Sequence, residues 1–163
     1  MKELLQQYAA YNIWANKIIF STINELSEAQ QTTTIVSSFP SIYKTVNHMW
    51  SAENIWWQRT NLVANIVSPA ANFTGSFSEL CSQLAIQSQQ WKTWVDGTDD
   101  ATLHKEFAYV RNNEQYTIII KNMLLHLFNH ATFHRGQLIT FLRQLGVDKI
   151  PSTDFSTYCR IIE

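Results

Sequence analysis

Apolar residues recur every three or four positions in four long stretches of the chain, which is the spacing of one face of an α-helix. In the first stretch, Leu5, Tyr8 and Ile19 share such a face. We therefore predict four helices, over residues 2–26, from just after Pro40 to residue 63, over 76–97 and over 117–146. Amphipathic helices of this length bury their apolar faces against one another, so the predicted fold is an all-α four-helix bundle.

Residues with strong positional preferences mark several helix ends. Ser76 and Glu79 have the spacing of a capping box, in which each side chain satisfies a backbone N–H of the other residue. Gly97 and Gly146 suit the position that follows a last helical turn. All three prolines of the chain lie outside the predicted helix interiors, where they would otherwise break a hydrogen bond.

Two connections between the predicted helices are long, over residues 27–39 and 64–75. Roughly a dozen extended residues span about 40 Å, which exceeds the ~30 Å length of a 20-residue helix. A crossover along the bundle is therefore feasible, and the sequence alone leaves open which loop makes it. Between the third and fourth helices, the segment 107–118 alternates around Asn112 and Asn113 and predicts a short β-hairpin.

Charge and composition narrow the possible partners. The chain has 163 residues, which we interpret as one domain, and its net charge is −1 with 15% charged residues. Without a basic surplus, we expect neither nucleic acid nor an anionic membrane as a partner. The N-terminal residues lack the apolar core of a signal peptide, and no stretch reaches about 20 apolar residues, so we expect a cytoplasmic protein. Cys81 and Cys159 lack metal-ligand spacing and are expected to be reduced.

The most informative pattern is a run of histidines in the fourth predicted helix. His126, His130 and His134 are four residues apart, so adjacent pairs share a helix face. His126 and His134 would lie about 12 Å apart along the axis, too far for one ion with bonds of about 2.0–2.1 Å. The spacing therefore allows either His126 with His130 or His130 with His134. A third ligand must come from another segment, and His48 is the histidine that lies in another convincing helix.

The three residues after His134 have more than one interpretation. Arg135 could reach an anionic substrate or form a surface or interhelical salt bridge. Gly136, inside a helix, indicates close approach of a neighbouring helix, because glycine costs about 1 kcal/mol relative to alanine there. Gln137 could orient a ligand histidine or make an interhelical hydrogen bond. We expect His126 to be structural or to support a ligand, one turn deeper in the bundle.

These residues together resemble a known family. His48 followed by the element Asn129-His130-x3-His134-Arg135-Gly136-Gln137, together with the early segment Tyr11-Asn12-Ile13-Trp14-Ala15-Asn16, is similar to the DinB family of bacterial four-helix-bundle proteins. The resemblance implies a metal-binding triad of His48, His130 and His134, with no departure at these positions. It implies that the crossover joins helices 2 and 3, and that the protein forms a homodimer. The adjacent Trp56 and Trp57 cannot face the same way, so one of them is a candidate for the subunit interface.

The expected ion is divalent, with zinc or nickel favoured because both suit imidazole. Three neutral ligands leave coordination positions open, as in catalytic sites. Position 131 is Ala, which excludes the zinc-protease motif with its glutamate base, and the absence of a Glu-x-x-His motif excludes a ferritin-like di-iron site. No residue stands out as a catalytic acid or base.

By resemblance, the leading hypothesis for function is a metal-dependent transferase or hydrolase acting on a small molecule. Related bundles include transferases and isomerases that use a low-molecular-weight thiol, and thiol dependence is the more specific form of the hypothesis. The alternatives are a non-catalytic metal-binding protein with a structural or sensory role, and a metal-free bundle that acts as an interaction module.

Overall fold

The computed structural model describes residues 1–162, which form seven helices and one β-hairpin. The elements are α1 Lys2–Asn24, α2 Glu28–Thr32, α3 Ile42–Thr60, α4 Phe77–Gly97, α5 Asp100–Leu103, β1 Glu106–Arg111, β2 Glu114–Ile119, α6 Ile120–Gln144 and α7 Phe155–Ile162. The four long helices α1, α3, α4 and α6 form the bundle, which confirms the predicted all-α fold. No helix in residues 1–162 combines the length and apolar character needed to cross a membrane.

The direction of each long helix follows from its side-chain contacts. Along α3 and α4, Glu53 meets Ser88 and Trp57 meets Trp91, so these two helices run parallel. Helix α1 runs antiparallel to α4, because Gln6 near its start hydrogen-bonds Asp96 near the end of α4. Helix α6 is antiparallel to α3 and parallel to α1. The bundle therefore consists of two parallel pairs, α3 with α4 and α1 with α6, which run in opposite directions.

Two parallel neighbours need a connection that returns along the bundle, and the segment between α3 and α4 provides it. Gln58 hydrogen-bonds the backbone of Val67, Asn47 donates to the carbonyl of Ala70, and Tyr43 donates to that of Gly75. The chain thus retraces α3 from its end to its start, through a short 3₁₀ turn at Pro69–Asn72. The crossover is between the second and third long helices, as the resemblance implied.

Several helix ends differ from the sequence prediction by a few residues. The capping box of Ser76 and Glu79 is present. The second long helix begins at Ile42, because Ser41 caps it and Pro40 lies outside. Gly97 is the last residue of α4 rather than the residue after it. Gly146 follows α6 with a positive φ of 81°, the role predicted for it.

The fourth long helix begins at Ile120, not at Thr117, because the β-hairpin extends further than expected. Thr117 pairs with Ala108 in the antiparallel ladder between β1 and β2. Asn112 and Asn113 form the turn with φ values of 52° and 63°, a left-handed conformation that asparagine tolerates. The predicted hairpin is thus confirmed, and it displaces the start of α6.

The apolar core is divided along the bundle into two clusters, with a third against the C-terminal helix. One cluster surrounds Trp91 and Leu127, and the other surrounds Met49 and Leu138. Helix α7, which the sequence did not predict, packs on α1 through aromatic rings, including Tyr158 against Tyr11. Met49 and Leu138 belong to the two helices that carry the predicted ligands, so the core fixes the spacing of α3 and α6 at that level.

Candidate metal centre

Three histidine side chains converge where α3 crosses α6. Nε2 of His130 lies 3.0 Å from Nε2 of His48 and 3.1 Å from Nε2 of His134. The three side chains each offer one ligand atom within 4.8 Å of the others. The structure therefore brings together the three residues that the resemblance implied, and it selects the pair His130 and His134 over the pair His126 and His130.

The secondary structure explains this convergence. His130 and His134 are one turn apart on α6, so their side chains lie one above the other on one face. His48 approaches from the antiparallel helix α3 and faces them. His134 is buried, whereas His48 and His130 are half-buried, so the group lies at the edge of the core and within reach of solvent.

All three imidazoles are held in the neutral form that binds metals. Burial, together with the neighbouring His134, lowers the pKa of His48 to about 4. Burial and the surrounding imidazoles lower the pKa of His130 to about 3. Burial also lowers the pKa of His134, although its hydrogen bond with Gln137 opposes the shift. At neutral pH each ring therefore has a lone pair on one nitrogen.

The geometry of the group fits a shared ion better than a hydrogen-bonded trio. An imidazole nitrogen has one in-plane position, which holds either a proton or a lone pair. Nε2 of His130 therefore cannot form good hydrogen bonds with both His48 and His134. Two nitrogens bound to one ion at about 2.0–2.1 Å lie about 2.8–3.4 Å apart for angles between 90° and tetrahedral. The observed 3.0 and 3.1 Å fall in that range.

Two neighbours hold the imidazole rings in place. Nδ1 of His134 lies 2.7 Å from Oε1 of Gln137, so Nδ1–H donates to the amide oxygen and leaves the lone pair on Nε2. This contact favours the interpretation of Gln137 as the residue that orients a ligand. On the other side, Phe39 stacks on His48 with ring centroids 3.9 Å apart and an interplanar angle of 16°. Phe39 lies in the loop before α3, and nothing in the sequence spacing pointed to it.

His126 takes no part in the cluster. Its ring centroid is 5.9 Å from that of His130 and 5.7 Å from that of Trp56. We expected it one turn deeper in the bundle, and that expectation was wrong, because its side chain lies at the surface. The next residue, Leu127, faces the core instead, so His126 is exposed to solvent.

Arg135 points away from the metal centre and into the bundle. It is 1% exposed, and its guanidinium donates to Oδ1 of Asn12 at 2.7 Å and to Oδ1 of Asn16 at 2.9 Å. It also lies over the ring of Tyr11, 5.1 Å from the centroid. An anionic substrate could not reach it there. The structure thus supports an interhelical role for Arg135, but its direct partners are asparagines, so hydrogen bonds to neutral side chains take the place of the expected salt bridge.

A network of buried hydrogen bonds connects Arg135 on α6 with the other three long helices. Asn12 on α1 donates to Oε1 of Glu53 on α3, and Ser88 on α4 donates to Oε2 of the same carboxylate. Burial raises the pKa of Glu53 to about 7, against the lowering effect of these two hydrogen bonds and of Arg135. The sequence contained a signal for this network, because Glu53 interrupts the apolar stripe between Met49 and Trp56.

Gly136 does not serve the purpose the sequence suggested. A Cβ atom at this position would meet no heavy atom within 4 Å, so no neighbouring helix needs the space. Gly136 is exposed on the surface of α6 and lines a cavity together with Tyr11. The expectation of close helix approach at Gly136 was therefore wrong.

Comparison with known proteins agrees with the fold. The sequence model of the DinB family matches residues 1–161. A curated relative, Protein DinB of Bacillus subtilis (strain 168), is 26% identical over 165 residues, which cover 91% of this chain and 89% of the relative. The family model extends across the bundle and includes both helices that carry the histidine cluster.

Proposed function

The chain belongs to the DinB family, and from that premise we propose that it binds one divalent ion through His48, His130 and His134 and acts as a metal-dependent transferase or hydrolase on a small molecule. The observation that carries the proposal is the convergence of three neutral imidazole nitrogens at the edge of the core. Three protein ligands leave coordination positions for a substrate, as catalytic sites require. Zinc and nickel are the proposed metals, because both accept imidazole ligands.

The residues around the ligands are suited to hold such a site in one arrangement. The acceptor Oε1 of Gln137 keeps the proton of His134 on Nδ1. The ring of Phe39 restricts rotation of His48 by stacking on it. A divalent ion held there would act as a Lewis acid and favour the deprotonated form of a bound thiol or water. Positioned ligands of this kind are a requirement for catalysis.

Space for a small molecule exists next to His48. A cavity of about 360 Å³ borders His48 and is lined in part by Phe39, Lys44, Asn47 and Ser51. This volume is at the lower end of the range for small-molecule sites, about 300–1,000 Å³. The lining combines an aromatic ring, a cation and hydrogen-bonding groups. The cavity supports a small-molecule substrate, and we propose a low-molecular-weight thiol as that substrate.

The first experiment measures metal content in protein purified without chelator. We expect about one divalent ion per chain in the wild type and a large loss in His48→Ala and His130→Ala. His104→Ala is the matched control, because His104 is an exposed histidine whose Nδ1 bonds the Asp100 carbonyl, and it should keep the ion. Wild-type protein without metal would remove the basis of the proposal.

The second experiment tests whether the ion has an open coordination position that accepts a thiol, as thiol transfer requires. Cobalt-loaded protein is titrated with 2-mercaptoethanol and followed by the thiolate-to-metal absorption band. We expect the band in the wild type and in His104→Ala and its loss in His48→Ala. A well-loaded wild-type protein that gives no band would reject thiol transfer. Hydrolysis or a non-catalytic role would then become the better explanation.

A further inference from the structure

Phe133 is a large apolar side chain on the solvent-exposed side of α6. It is 62% exposed, and it is the one large apolar side chain with high exposure in α6, a helix that the structure describes along its whole length. Its neighbours on that side, Asn129 and Gln137, are polar. Burial in the core of the chain does not account for a phenylalanine at this position.

Phe133 lies directly beside the metal centre. Its ring centroid is 5.1 Å from that of His134, with an interplanar angle of 78°. It also follows His130 by three residues, a spacing that makes two side chains neighbours on a helix. Phe39 meets the same ring of His134 from the loop before α3, with centroids 5.6 Å apart at 67°. Two aromatic rings therefore flank the imidazole of His134.

We propose that Phe39 and Phe133 form an aromatic rim that selects, among small ligands of the ion, those with an aromatic or other bulky apolar group next to the donor atom. The inference rests on the proposed function, because it concerns ligands of that ion. Both rings contact His134, whose Nε2 would face the ion, so a bulky molecule bound to that ion would extend toward them. Phe39 is half-buried and also stacks on His48, whereas Phe133 is exposed and makes only a T-shaped contact with His134.

The test compares ligands that share a donor group and differ in the adjacent apolar group. Cobalt-loaded protein is titrated with phenylmethanethiol and 2-mercaptoethanol, and separately with benzohydroxamate and acetohydroxamate. We expect the aromatic member of each pair to bind the wild type about tenfold more tightly, the scale of one good aromatic contact plus its apolar burial. In Phe133→Ala this preference should shrink severalfold, while the affinity for 2-mercaptoethanol and acetohydroxamate stays unchanged.

Two control variants separate the rim from a general loss of apolar surface. Phe133→Trp keeps an aromatic ring and should keep the preference. Ile161→Ala removes an apolar side chain that is also 62% exposed but lies on α7, and it should leave the preference intact. An unchanged preference in Phe133→Ala, or no preference in the wild type, would overturn the rim and leave the metal centre standing.

The remaining outcomes are also decisive. If the hydroxamates bind with the expected preference and the thiols do not bind, the rim stands and thiol chemistry fails. If none of the four ligands binds loaded protein, both the rim and the open metal site are overturned.

Sedimentation of Phe133→Ala measures whether the substitution changes the oligomeric state. A switch from dimer to monomer in that variant would show that Phe133 covers a subunit interface, and the rim would be rejected.

Discussion

Replacing Arg135 with methionine tests whether the buried polar chain holds the bundle together. The substitution keeps an unbranched side chain and removes the cation that donates to Asn12 and Asn16. It also removes a donor to Thr132, at 2.8 Å. The acceptor oxygens of both asparagines are then left buried without this partner, and Glu53 loses its nearby positive charge.

The size of the effect follows from the burial of these groups. A hydrogen bond to a charged group contributes about 1.5–3 kcal/mol, and methionine recovers part of the loss through apolar contacts. Removal of one partner from a buried ionic network costs about 3–5 kcal/mol. Against a total stability of about 5–15 kcal/mol, this is a large fraction. It corresponds to a decrease in Tm of about 6–20 °C for a chain of this length.

Urea unfolding followed by circular dichroism and tryptophan fluorescence measures the change. Arg143→Met is the matched control, because Arg143 is exposed in the last turn of the same helix, and it should change stability by less than about 0.5 kcal/mol. The double variant with Glu53→Gln should lose about 1–2 kcal/mol less than the sum of the single variants, because both charges leave together. A loss below about 1 kcal/mol in Arg135→Met would refute a stabilising role for the network.

Four further predictions concern Gln137, Gly136, Glu53 and the oligomeric state. Gln137→Leu should weaken metal affinity about 10–100-fold, measured by competition with a chelator, because the tautomer of His134 is no longer fixed. Gly136→Ala should raise the free energy of unfolding in urea by about 0.5–1 kcal/mol, because the added Cβ meets no atom within 4 Å. The raised pKa of Glu53 means that folding favours its protonated form, so this carboxyl should lower stability by about 3 kcal/mol between pH 4.5 and 8. The lowered pKa values of His48 and His130 act in the opposite direction, so the effect is measured as the difference in pH dependence between the two proteins, with the stability of Glu53→Gln rising more than that of the wild type over this range. Sedimentation at micromolar concentration should show a homodimer, and a monomer alone would reject that expectation.

The long helices and the pairing of His130 with His134 on one helix face could be predicted from the sequence because each rests on local periodicity. The four-residue spacing of His130 and His134 places them on one face of any α-helix. The choice of His48 as the third ligand needed more, because no local rule specifies which parts of α3 and α6 meet. His48 was the candidate because it is the histidine in another predicted helix, and the resemblance to a family supported that choice. The antiparallel packing of the two helices accounts for its position beside His130.

The errors arose where tertiary contacts decide between local alternatives. Gly136 was interpreted as a helix-packing residue, yet its face of α6 is open, and a single sequence does not show which face is covered. Thr117 fits a helix as well as a strand, and cross-strand pairing with Ala108 decided the outcome. Phe39 lies in an irregular loop, where no periodicity predicts a stacking partner.

Anomalous diffraction at metal absorption edges, on crystals of protein purified without chelator, tests the central claim most directly. We predict one ion with Nε2 of His48, His130 and His134 at about 2.0–2.2 Å. The remaining coordination positions should be open to solvent or small ligands. An ion held by His126 and His130 with His134 turned away, or a closed site with no exchangeable position, would contradict the account.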